Sequence, residues 1–208
     1  MNKQRLFLLL INVIFIFSAK TNFPQSGAWN PSGADLTYPR TLLKNSEVAG
    51  VISSLSSNYL IKDLYLHIYN SSQSSIPSGN STDGERLSRS HIAKNSAFIT
   101  LIGKKIVSGT VSDLTSAEED ALILKAENLL ENINTAVAGL LSYDSWQWRS
   151  KELIDYSITY DLLKGYGISD AELALSKTKI QEFAGNLYNH SVNDNIFGIT
   201  FSEQYDIA

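Results

Sequence analysis

At 208 residues with 43% hydrophobic content, the chain is long enough to bury a core and too apolar for a disordered tail. A formal charge of −4 excludes the basic surface that nucleic acid or anionic lipid would demand. With no cysteine, the chain has no disulfide, thiolate metal site, cysteine nucleophile or lipidated cysteine.

Lys3 and Arg5 precede an apolar run from Leu6 to Ala19, and a polar stretch follows. That is the layout of a secretory signal peptide. The run is about 14 residues, where a spanning helix needs roughly 20. Residues 1–22 are therefore expected to be removed on export, leaving no stable membrane span. A cysteine-free exported chain reads as bacterial: periplasmic, cell-surface or secreted.

Residues 23–45 form an extended lead-in, because Pro24, Pro31 and Pro39 deny them a continuous helix. A helical domain is expected over 46–190. Val48, Val51, Ile52 and Leu55, then Tyr59, Leu60, Leu64 and Ile68, keep helical spacing, with a break or kink at Asn58. The polar stretch 71–85 reads as an exposed, mobile loop. The periodicity predicts a helix from about Ser88 to Ile106, closed by Gly109.

Thr115 and Glu118 spell a capping box that opens a helix predicted to run to Leu140. After a break at SYDSWQW, Leu153, Ile154, Ile158, Leu162 and Leu163 cover more than one face of a central helix that ends at Gly165 or Gly167. Ser169 and Glu172 cap another helix, which ends near Asn189. Residues 191–208 read as an irregular tail. No strand is expected among these elements, and short connections favour antiparallel neighbours, so the class is all-α.

The most unusual local composition is Tyr143, Asp144, Trp146, Trp148 and Arg149, followed by Tyr156, Tyr160 and Asp161. Aromatic faces can cover the C–H surface of a sugar ring, and arginine pairs with carboxylate or sulfate through a planar fork. Trp146, Trp148, Arg149 and Tyr156 are the expected substrate-binding residues, with an acidic polysaccharide as the partner. A competing assignment has the tryptophans capping a helical hairpin, the tyrosines in the core and Asp161 bonded to backbone. His67, His91 and His190 lie on separate segments without metal-ligand spacing, so no metal and no cofactor is expected. His67 and His91 have no visible catalytic partner.

Three pieces resemble, in order, the helical domain of heparinase II/III-like and alginate-lyase-like polysaccharide lyases. They are YPRTLLKNSEVAGVISSL with its Tyr38-Pro39-Arg40 phrase, SAEEDALILKAENLL, and RSKELIDYSITYDLLKGYG with the phrase from Ser157 to Leu163. The resemblance implies an incomplete (α/α) toroid of antiparallel helical hairpins. It also implies an enzyme that cleaves uronic-acid polysaccharides by β-elimination. The family's Asn-Asn-His phrase is missing, and Asn189-His190 matches it only superficially. The resemblance therefore implies an exported fragment, inactive alone, whose catalytic residues and C-terminal portion lie downstream. The alternatives are a non-catalytic helical module that binds carbohydrate or protein, and a toroidal glycoside hydrolase using Asp144 and Asp161.

Overall fold

The computed structural model describes residues 37–137 and 143–193, and their side chains except those of 143–145 and 191–193. The expected signal peptide, most of the lead-in and most of the tail lie outside these residues. The described part is mainly helical. A 3-10 turn, Asn45–Glu47, leads into α1, Val48–Ser57, and α2, Tyr59–Gln73. The break expected at Asn58 is real: its backbone is extended, and its side chain accepts from the Ile61 N–H at 3.2 Å, capping α2.

Helix α3, Asp83–Ile102, begins earlier than the apolar periodicity predicts. Thr82 and Glu85 form a capping box, a start signal that lies outside the buried stripe. Gly103, with φ 68°, ends the helix in the left-handed region. The residues beyond it are not helical. Lys104–Val107 (β1) and Thr110–Asp113 (β2) pair as an antiparallel hairpin, which corrects the expectation of a strand-free domain. Ser108 and Gly109 have φ of 49° and 77°, the pair of positive values that a two-residue type I′ turn requires.

Helix α4, Ser116–Glu131, opens at the expected Thr115–Glu118 box but stops well short of Leu140. Helix α5, Tyr143–Tyr166, starts earlier than expected and takes the tryptophans into the helix; Gly167, with φ 116°, follows its end. The Ser169–Glu172 box forms through reciprocal hydrogen bonds of 3.0 and 3.2 Å, and α6, Ala174–Asn193, follows it. The polar stretch between α2 and α3 is tied down rather than free. Arg86 donates to the Ser81 carbonyl, Arg89 donates to the Pro77 carbonyl at 2.9 Å, and Asn80 exchanges hydrogen bonds with Asn132 and Asn134.

Helices α3 and α5 run parallel. Arg86 meets Glu152, and Ser90 and Lys94 meet Asp155, so α3 and α5 advance together. Their contact is the most extensive between any two helices described. Helix α2 runs against α3, with Tyr65 near Lys104 and Ser71 near Asn95. Thr135, just beyond α4, meets Glu182 and Asn186 of α6. One core joins Ile92, Ala97, Leu129, Leu130, Leu162, Leu163 and Phe183; a second joins Leu55, Tyr65, Ile99, Ile106 and Leu122. A fully buried leucine of this kind contributes about 2 kcal/mol.

Candidate functional site

Helix α5 sorts the expected sugar-binding residues by its own geometry. Trp146, Arg149, Leu153 and Tyr156 recur at three- and four-residue steps and turn inward together, while Trp148 lies on the other side of the helix. Trp146 is 5% exposed, Arg149 1% and Tyr156 1%, against 42% for Trp148. The four do not form one open platform. They looked like a single cluster because they are close in sequence, and the start of the helix at Tyr143 sends them to different faces.

Arg149 is already committed to protein partners. Its guanidinium stacks on Phe183 at 4.3 Å, pairs with Glu152 and donates to the Asn134 and Ala136 carbonyls. Glu152 also accepts from Arg86 Nε at 3.2 Å, and Arg86 pairs with Asp83. Burial pushes the Glu152 carboxyl up to about 7, against the opposing pull of Arg149 and Arg86. Burial likewise pushes the Tyr156 hydroxyl up. This network joins α3 to α5 and leaves no free fork for a saccharide.

A different set of residues lines the open side of the same helix pair. Trp148, Lys151 and Asp155 follow one another at three- and four-residue steps and share a strip of α5. Lys151 Nζ lies 5.6 Å from the centre of the exposed Trp148 ring and makes no ion pair among the described residues. Asp155, with a side chain 4% exposed, is covered from α3 by His91 Nε2 at 3.1 Å and by Lys94 Nζ. Ser90 Oγ adds a hydrogen bond of 3.4 Å to the same carboxylate. Burial raises the Asp155 carboxyl, but the bonds from His91 and Lys94 outweigh it and hold the group below the usual carboxylate range.

His91 thus has the partner that its sequence neighbourhood does not reveal. The contact from Nε2 to Asp155 fixes the orientation of the ring. An aromatic face, an unpaired ammonium and an oriented imidazole therefore lie along one edge of the α3–α5 pair. Such a strip can cover sugar C–H groups, pair with a carboxylate and exchange a proton. The spacing of Trp148, Lys151 and Asp155 was legible in the sequence. Their juxtaposition with His91 and Lys94 was not.

Asp161 and the Tyr38-Pro39-Arg40 phrase meet at the other end of α5. Asp161 Oδ2 accepts from the Arg40 N–H at 2.8 Å, the Thr41 N–H at 2.9 Å and the Thr41 hydroxyl at 2.7 Å. The Tyr38–Pro39 peptide is cis, and a methyl group on Gly165 would collide with the Pro39 ring. The two phrases that carry the lyase resemblance are therefore contact partners. Asp161 bonds to backbone, as its structural assignment expected, while the side chain of its suggested hydrolase partner, Asp144, lies outside the described residues. His67 pairs only loosely with Asp63, at 3.9 Å. Among the described residues, no group of three His, Cys, Asp or Glu is placed to hold a metal ion, and no helix is long and apolar enough to cross a membrane.

Comparison with protein-family models, with curated proteins and with solved structures finds no match for this chain.

Proposed function

We propose that the chain is a helical piece of an exported polysaccharide lyase, and that the open edge of α3 and α5 grips an acidic saccharide. The observation that carries this reading is the exposed Trp148 with Lys151, unpaired among the described residues, over its ring, in line with His91 and Lys94. Two further features favour the lyase-like architecture. Helices α3 and α5 run parallel, as next-but-one helices of an (α/α) toroid would, and the Tyr38-Pro39-Arg40 phrase docks on the phrase around Asp161. Binding is the activity that the described residues support on this reading.

The test is titration of the purified chain with alginate and heparan sulfate oligosaccharides, with ultraviolet absorbance followed for unsaturated uronide. Trp148→Ala removes the platform and Lys151→Ala the unpaired cation; each is expected to weaken binding roughly tenfold. Only the lysine contribution should fade strongly with salt. Unchanged affinity in both variants would sink the saccharide reading. The second reading, a protein-binding module, is favoured by Tyr59, Leu60 and Leu64, which are 83%, 64% and 56% exposed on α2.

A further inference from the structure

We propose that Arg40 and Lys164, converging on the ring of Tyr38, form an oxyanion site for a ligand carrying a carboxylate or sulfate group. The Arg40 guanidinium carbon lies 4.4 Å from the Tyr38 ring centre, and its Nη2 donates to the Tyr38 hydroxyl at 3.1 Å. Lys164 Nζ approaches the same ring at 5.9 Å. The two cations therefore lie within roughly 10 Å of each other, about one Debye length in ordinary salt. Lys164 is paired with Asp170 at 3.0 Å, through a carboxylate whose side chain is 86% exposed, and it also donates to the Ile168 carbonyl at 3.1 Å. Arg40 has no carboxylate partner among the described residues.

The position of Arg40 is held from within. Buried Asp161 binds its backbone N–H and both donors of Thr41, so the guanidinium projects from a fastened segment. Asp161 spends its bonded oxygen on those groups and makes no ion pair with the Arg40 side chain. Nη2 serves the Tyr38 hydroxyl, and the other guanidinium donors of Arg40, which have no hydrogen-bond partner among the described residues, can donate in plane to a carboxylate or sulfate. Asp161 and Asp170 offset the two positive charges, so recognition rests on the directed guanidinium donors of Arg40 rather than on a net local charge. The site stands apart from the Trp148 strip and does not depend on it.

The experiment is a titration of the isotope-labelled chain with glucuronate, inorganic sulfate and glucose at constant ionic strength. The Arg40 Nε–H and Thr41 amide signals are followed, with the Trp148 indole signal as a separate report on the other strip. Saturable shifts with glucuronate or sulfate, and none with glucose, are expected. Saturation by sulfate alone identifies a free inorganic anion as the ligand, and saturation by glucuronate a saccharide carboxylate. Arg40→Ala should weaken binding roughly tenfold or more, and Arg40→Lys by less, because it keeps charge but loses the fork. Amide dispersion establishes that each variant is folded. The proposal is overturned by shifts that do not saturate, by an equal response to glucose, or by unaltered affinity in folded Arg40→Ala.

Discussion

Asp161 joins segments 120 residues apart with a single carboxylate oxygen. Removing it leaves the Arg40 and Thr41 N–H groups without their acceptor at a partly buried joint. Asp161→Ala is therefore expected to lower stability by about 2–3 kcal/mol in urea unfolding. Asp161→Asn keeps an acceptor oxygen and loses only the charge assistance, so about 1 kcal/mol is expected. Equal losses in the two variants would show that the hydrogen bonds are not what holds the lead-in. A backbone bond for Asp161 is one of the two assignments that the sequence allows. Its partner was not legible, because nothing local to residue 161 specifies residue 40. The same limit explains His91, whose carboxylate partner lies 64 residues away, and Arg149, which reads as a free fork in sequence and is used up by Glu152 and two carbonyls.

At the scale of elements, capping chemistry carried more information than apolar periodicity. The boxes at Thr115 and Ser169 formed where the residues spelled them, since a cap needs only neighbours three positions away. Helix α3 starts ahead of its apolar stripe because its first turn, with its own box at Thr82, buries little apolar surface. The hairpin was missed because KKIV and TVSD are too short to establish an alternating pattern, although Ser-Gly between them is a turn signal. Ser108 holds φ 49°, a value a serine adopts at some cost. Ser108→Asn should stabilise the protein by roughly 0.5–1 kcal/mol, because asparagine tolerates that conformation and suits the first position of the turn. Thermal unfolding tests this, and a lower midpoint would contradict the turn assignment.

At the scale of the molecule, ionisation sets opposing limits on stability. Glu118 is held at about 2 by Lys105 and the Thr115 backbone, and Glu85 at about 2 by the Thr82 and Ser81 N–H groups, both below the usual 4.5. Groups with a depressed folded pKa contribute stability above 4.5 that is lost as pH falls toward 2. Glu152 has the opposite sign. With its folded value raised from 4.5 to about 7, it binds its proton more tightly in the folded state, so its contribution is full below 4.5 and is lost as pH rises through 7. Urea unfolding across this range should show a stability maximum near the ordinary carboxylate pKa. Glu152→Gln should flatten the fall on the alkaline side and leave the acid side intact. A wild-type profile that rises steadily from 4.5 to 7 would refute the burial effect assigned to Glu152.

The sequence by itself determined the helical class, most helix starts and the central place of α5, because these depend on residue types repeated every three or four positions and on caps that close within one turn. It also carries the Tyr38-Pro39-Arg40 phrase and the phrase around Asp161. Only the tertiary structure decided that these phrases touch, that α3 and α5 run parallel through a buried ionic network, and that Trp148 faces outward while Trp146, Arg149 and Tyr156 face inward. Those outcomes depend on the rotation and pairing of whole helices. A helix packed on more than one side has several apolar faces, and only its neighbours decide which polar residues remain outside.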